Sequence, residues 1–290
     1  MKNILLKTLI IIILILIFIN NHIMYNTIYT TTIIWFKNIV PNILPMFIIT
    51  SLIIESNLIF NITNLFGNLF SKIFKTSKYS IFVFILSILS GSPSNAKYIN
   101  DLYINNLITK EEANKILLFT TNFNSLLIYN LMITYLNKYN SIKIVIILIL
   151  TNIIIGLLNR NLNITITTIK KLNNKIDLSK IIKNTIDTLL MILGILICFN
   201  IILNILPIKN IIIKNIINGF LEVTTSIKTL ETININIKLK EILTIIYLSF
   251  GGLSIHLQIK SIFPDTNYKL FLKNKLLSII ISIILFYVVG

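Results

Sequence analysis

The sequence predicts an all-α integral membrane protein: a multi-pass helical bundle of two inverted repeats containing re-entrant, broken helices. Three observations carry this prediction. Of 290 residues, 55% are hydrophobic and 12% charged, about half the ~25% charge of an ordinary soluble domain. The apolar residues come in runs: Leu9–Ile19, Ile33–Ile54, Ile144–Leu158, Leu189–Ile205 and Leu276–Val289 are almost free of charge. A spanning helix needs ~20 such residues to cross ~30 Å of hydrocarbon, and one soluble core would not hide all these segments. The runs also lack the period-2 alternation of a barrel, so helices are the form in which the backbone satisfies its own hydrogen bonds in lipid. Ile, Asn, Lys and Leu dominate the loops as well, so the β-branched content is no argument for strands.

A net charge of +16 would suggest nucleic acid in a soluble protein. Here Lys and Arg sit in loops and at helix ends, where cytoplasmic positive charge fixes topology, and no nucleic-acid partner is expected. The single cysteine, Cys198, excludes an intramolecular disulfide and offers no metal-ligand cluster; it reads as a small buried hydrophobe. No Ser/His/Asp ordering, zinc spacing or Walker loop is present, so neither an enzyme nor a cofactor is predicted. Lys2 and Lys7 precede an apolar stretch as in a signal peptide. Asn20-Asn21-His22 then offers no small-residue cleavage site, and the segment reads as an uncleaved first helix.

Charge orients the elements. Residues 20–32 hold no Lys, Arg, Asp or Glu and are placed outside as a loop. The stretch 159–184 carries Arg160, Lys170, Lys171, Lys175, Lys180 and Lys183 against Asp177, and 68–79 carries Lys72, Lys75 and Lys78; both go inside. If 144–158 ends inside, the span 116–136 before it starts inside, and 80–96 must enter and return on one face. The run Ser80–Leu89 is about half a spanning length, and Ser90-Gly91-Ser92-Pro93-Ser94-Asn95 breaks a helix. Broken backbone at membrane depth is tolerated where protein or a water-filled cavity covers it.

The second half follows the same plan. A long helix (185–206), a mixed segment (211–227) and a run Ile242–Leu248 lead to Ser249-Phe250-Gly251-Gly252-Leu253-Ser254, and a helix over 270–289 closes the chain. The predicted organisation is an N-terminal transmembrane helix and external loop (1–32) and a first repeat (33–136). A connecting transmembrane helix with a basic cytoplasmic loop (137–184) and a second repeat (185–290) follow. That is about six full spans, with 80–97 and 242–260 turning back, the pattern of an inverted repeat with a site between its halves. One feature runs against it. Lys228, Lys238, Lys240, Lys260, Lys269, Lys273 and Lys275 flank the second broken region, which the repeat places outside.

Polar groups at membrane depth are expensive and therefore informative. The cluster from Ser90 to Lys97 offers either a helix N-terminus able to hold an anionic or hydrogen-bonding group, or a surface turn with ordinary Ser and Asn caps. Thr120-Thr121-Asn122-Phe123-Asn124-Ser125 lies in an apolar segment, as a site or as interhelical hydrogen bonding. Ser249, Gly251, Gly252, Ser254, His256 and Gln258 form the matching cluster; His256 is either a titrating group or a hydrogen-bonded structural residue. Glu55 and Glu222 each end an apolar stretch, as ion-coupling groups or as interfacial side chains.

These clusters carry a family resemblance. Gly91-Ser92-Pro93-Ser94-Asn95-Ala96-Lys97, Asp101-Leu102 and Ile108-Thr109-Lys110-Glu111-Glu112-Ala113 look like a G-Y-P-x-G-A-K, D-L and T-x-E-E-A series. Phe119-Thr120-Thr121-Asn122 is similar to F-T-N-N. Phe220-Leu221-Glu222-Val223-Thr224-Thr225 and the stretch from Phe250 to Gln258 look like L-E-x-T and G-G-L-S-V-H-x-Q, and Pro41 and Pro45 match a proline-marked first helix. The pattern, over residues 33–287, resembles the sporulation integral membrane proteins of the YlbJ type, built on nucleoside-recognition (Gate) domains. Ser92, Asn95, Thr121 and Ser125 stand where that family has Tyr, Gly, Asn and Pro.

The resemblance implies two inverted Gate-like repeats, a place in the cell membrane, a role in spore formation at the cortex stage, and a transporter-like architecture. The expected substrate-binding residues are Ser90, Gly91, Ser92, Asn95, Asn122, Gly251, Gly252, Ser254, His256 and Gln258. The expected partners are the lipid bilayer, a small polar solute (nucleoside-like or cell-wall related) and a second copy in a homo-oligomer. A competing expectation is a non-transporting scaffold that recruits other sporulation membrane proteins. On the transport reading, the breaks at Gly91 and Gly252 approach each other and line one polar cavity.

Overall fold

A computed structural model of the chain describes residues 21–166 and 176–289, and among these every regular element is a helix. The run Leu9–Ile19 and the charges of Lys170, Lys171 and Lys175 lie outside the described residues.

Helix α1 runs from Asn21 to Glu55. Pro41 has no N–H to give the carbonyl of Lys37, and the helix widens over Trp35–Ile39, where the Val40 amide donates to the Trp35 carbonyl. The loop expected at 20–32 is therefore helical over its described residues, 21–32. Its uncharged polar residues are matched to another helix, α8 (Leu178–Ile205): Asn204 Nδ2 donates to Thr27 Oγ1 at 2.9 Å and Asn200 Nδ2 to Thr31 Oγ1 at 3.2 Å. Polarity without charge marked a helix–helix seam rather than a loop.

Helices α2 (Leu58–Phe74) and α3 (Tyr79–Ser90) meet at a bend of 96° between Gly67–Phe74 and Tyr79–Ser90. Two buried charged residues of α5 (Lys110–Thr120) hold that corner. Glu112 Oε1 accepts from the Ser77 amide at 2.5 Å. Lys115 Nζ donates to the carbonyls of Lys75, Arg160 and Leu162 at 3.0, 2.7 and 3.3 Å, tying the end of α2 to the end of α7 (Lys138–Leu158). Orphan carbonyls at helix ends need such donors.

Helix α4 (Ser94–Ile104) follows the first break. The segment 116–136, expected as one span, is two helices, because α5 stops at Thr120 and α6 (Ser125–Met132) begins after a four-residue gap. In the second half α9 (Ile211–Leu221) and α10 (Val223–Leu230) fold back on each other. Asn215 Nδ2 donates to the Ser226 carbonyl and Thr229 Oγ1, at 2.9 and 2.6 Å. Helices α11 (Ile237–Phe250) and α12 (Gly252–Ile262) flank the Gly251 break, and α13 (Tyr268–Val289) ends the fold.

Among the described residues five helices are long and apolar enough to cross a membrane, or six if the bent pair is one span: Asn21–Glu55, Lys138–Leu158, Leu178–Ile205, Ile237–Ile262 and Tyr268–Val289 are the five. The 242–260 stretch, expected to turn back, thus lies in a 26-residue run that continues through its break. A left-handed glycine interrupts the hydrogen-bond ladder there without reversing the chain. In this half it is 211–230 that folds back on itself.

Two apolar clusters fill the interior, one around Phe47, Phe74, Phe84 and Phe119, the other around Ile144, Ile227, Ile245 and Phe286. Leu190, Ile202, Ile280 and Ile284 point outward from the candidate spans. Cys198 on α8, expected to be buried, is exposed among them; a helix apolar on all sides does not announce which face it turns inward.

Candidate functional site

Each helix break has a local cause. At the first, Gly91 takes φ +77°, a region open chiefly to glycine, and a Cβ there would collide with the Asn124 amide nitrogen. Pro93 then stands at the N-cap of α4, with the Ser92–Pro93 peptide cis. At the second, Thr120 and Thr121 turn their hydroxyls back to the carbonyls of Ile116 and Leu117. Asn124 caps α6 through the Leu127 amide and donates to the Leu89 carbonyl at 2.7 Å. The two breaks touch: the Ser92 amide donates to the Asn122 carbonyl at 2.6 Å, and Asn122 Nδ2 donates to Ser87 Oγ at 2.8 Å.

In the second half, too, a helix break lies against another helix turn. A Cβ on Gly252, at φ +68°, would press on Val223 Cγ2 (2.9 Å) and the Leu221 carbonyl (3.3 Å), so the break at 251–252 sits against the turn of the α9–α10 hairpin. Glu222 occupies that turn. It is buried and caps α10, accepting from the Thr224 and Thr225 amides at 3.1 and 2.7 Å and from the Thr224 hydroxyl at 2.6 Å. A helix N-terminus is a favourable place for a carboxylate, so Glu222 is a cap and not an interfacial side chain.

The expected site residues divide sharply. His256 Nε2 lies 2.9 Å from the Phe250 carbonyl and Nδ1 lies 3.2 Å from the Tyr268 hydroxyl. A carbonyl only accepts, so Nε2 carries the proton and Nδ1 accepts from Tyr268. Both nitrogens are used, and the ring is packed among Phe250, Tyr268 and Phe271. It secures the carbonyl freed beside Gly251. Gln258 Nε2 donates to Ser254 Oγ at 3.2 Å, both side chains being buried. Asn95 is fully buried between Ser92 Oγ at 3.0 Å and Thr121 Oγ1 at 3.3 Å, and Ser90 Oγ accepts from Tyr98 at 2.9 Å.

One cleft, about 20 Å³, joins the halves, with room for a water or two. Thr121, Asn122, Phe123 and Ser125 line it from the α5–α6 break, Asn152 from α7, Leu248 and Ser249 from the last turn of α11, and Lys275 and Ser278 from α13. Of the ten expected site residues, Asn122 alone is among its lining residues. Gly91 and Gly252 each meet a break in their own half, and neither lines the cleft. At the cleft, Thr121–Ser125 of the first half faces Leu248–Ser249 of the second.

Asn122 retains capacity there. Its Oδ1 accepts from Asn152 Nδ2 at 2.6 Å and its Nδ2 makes one bond, to Ser87, leaving an N–H and a lone pair. Lys275 is the residue that the sequence did not single out as a site, counting it only as a charge flanking the second broken region. It is buried, and Nζ donates to the Thr121 carbonyl at 3.3 Å. Lys275, Ser278 and Ser282 fall at helical spacing on one buried face of an apolar helix, a stripe visible in the sequence. Lys240 is likewise buried.

Away from the cleft, Lys97 pairs with Asp101, whose Oδ2 accepts from Ser51 Oγ at 2.8 Å. Asp265, in the turn before α13, pairs with Lys110 at 2.7 Å and accepts from the Tyr103 hydroxyl at 3.0 Å. The bond from Lys110, then that from Tyr103, holds the Asp265 carboxyl below the usual range. Among the described residues no group of three or more His, Cys, Asp or Glu could hold a metal ion. No protein-family model, no curated protein and no solved structure matches the chain.

Proposed function

We propose that the protein is a multi-pass cell-membrane protein of the YlbJ type, with two Gate-like repeats, that carries or senses a small polar solute during spore formation. The sequence motifs supply the family reading. One structural observation supports the transport reading: a polar cleft, walled by apolar helices, lies where the α5–α6 interruption meets the end of α11. Interrupted helices present unclaimed backbone groups at membrane depth, the arrangement on which solute sites are built. On this reading Asn122, Ser125, Asn152 and Ser249 bind the solute, and the repeat pairs the break at 91–93 with that at 222, and the break at 121–124 with that at 251.

Engagement of both nitrogens of His256, and of both polar ends of the Asn95 amide, by protein partners favours a second reading, a scaffold whose polar residues serve packing. Proteoliposomes challenged with nucleosides, amino acids and cell-wall precursors separate the two. Saturable uptake or binding that falls in Asn122→Ala supports transport. No flux or binding for any solute, with Asn122→Ala normal in sporulating cells, leaves the scaffold.

A further inference from the structure

Lys275 is a basic residue buried beside neutral oxygens. Among the described residues the ion pairs are Lys97–Asp101 and Lys110–Asp265, so no carboxylate lies within salt-bridge distance of it. Its ammonium has three donors and reaches the Thr121 carbonyl at 3.3 Å. That carbonyl belongs to the residue that ends α5. The other wall of the cleft is the last turn of α11, where the Ser249 carbonyl accepts from Ser278 Oγ at 2.8 Å. Two helix C-termini, each the negative end of its dipole, therefore border the buried amine of Lys275. Asn122, Asn152 and Ser278 add amide and hydroxyl oxygens.

Freed carbonyls and half-helix C-terminal ends with neutral oxygens are what a coupling sodium ion uses in broken-helix transporters. Here a covalently attached ammonium occupies that place. We propose that Lys275 is a built-in substitute for a coupling cation: the protein needs no sodium at this break, and removal of the side chain turns the cradle into a sodium site. The inference rests on reading the cleft as a transport site, but its test needs no solute, so its failure is distinct from a failure of uptake.

The test is thermal unfolding of the purified full-length protein in detergent, in sodium chloride or N-methylglucamine chloride at equal ionic strength. The wild type should unfold at the same temperature in both. Lys275→Ala should gain about 3 °C in sodium, saturably, and Lys275→Met, which fills the space, should gain nothing. A saturable sodium gain in the wild type overturns the proposal, as does a Lys275→Ala that responds equally to both salts. If Lys275→Ala does not fold, Lys275→Ser, which leaves an oxygen in the cradle, is purified in each salt; equal recovery of folded protein in both overturns it as well.

Discussion

The amide of Ser92 donates to the carbonyl of Asn122 across 2.6 Å, so the interruption between α3 and α4 is bonded to the interruption between α5 and α6. Neither break is an independent flaw in a helix. Each supplies the backbone partner that the other lacks, which is how irregular backbone is kept satisfied away from water.

Gly91 lies inside that joint, at φ +77° with its Cβ position against the Asn124 amide. Gly91→Ala should lower stability by roughly 2–4 kcal/mol, read as a fall in unfolding temperature in detergent. Gly194 in α8 has open space at its Cβ position, and Gly194→Ala should raise stability by ~0.5–1 kcal/mol. Equal unfolding temperatures for the two variants would remove the close approach.

Asn122 and His256 should separate by phenotype. His256→Phe loses the bond to the Phe250 carbonyl and leaves that buried acceptor unmet, a loss of about 1–3 kcal/mol. Asn122→Ala should abolish whatever solute binding the liposome panel finds. The reverse pattern, with binding lost in His256→Phe at unchanged stability, would return the site to His256.

Lys115 ties three carbonyls from the ends of α2 and α7. Lys115→Met should destabilise by roughly 2–4 kcal/mol, since bonds from a charged donor are each worth ~1.5–3 kcal/mol and several are lost at once. Limited proteolysis should then cut first near Lys75 and Arg160. Protection unchanged at both places would show that the tie is not holding the corner.

The pair Lys110–Asp265 joins the start of α5 to the turn before α13 at an exposed position. The Asp265 carboxyl is held below its ordinary value by Lys110 and Tyr103. A depressed carboxylate gives stability that is fully present above its unfolded pKa, ~3.9, and lost as pH falls through the lower folded value. A double-mutant cycle on Lys110→Ala and Asp265→Ala should show coupling that is constant from neutral pH to roughly pH 5, fading below ~3.9. It should also weaken with added salt. Coupling that instead fades above pH 6 would assign the titration to another group.

The apolar runs were legible because each carries its own signal: Lys138–Leu158 and Leu178–Ile205 pass as candidate spans on length and composition alone. So did the breaks at Gly91 and Gly251, since glycine and proline chemistry acts within a few residues. Three things were not legible. Residues 21–34 lack charge, which fits a loop or a polar seam, and only α8 opposite decides between them. The break at Thr121–Asn124 contains neither Gly nor Pro and exists because its groups bond to Ser87, Ser92 and Asn152. His256 read either as a titrating group or as a hydrogen-bonded structural residue, because its partners, the Phe250 carbonyl and the Tyr268 hydroxyl, meet it only through the turn of the chain.

The sequence by itself determined that the chain is helical and built from apolar segments long enough to span, and where glycine would interrupt them. Those are properties of composition and of single residues. The tertiary structure alone decided which interruptions face each other, that Asn122 borders the cleft while His256 is a sealed strut, and that Lys275 is buried at the cleft. The reason is physical: a buried polar group is defined by the acceptor or donor opposite it, and that partner is supplied by a distant part of the chain.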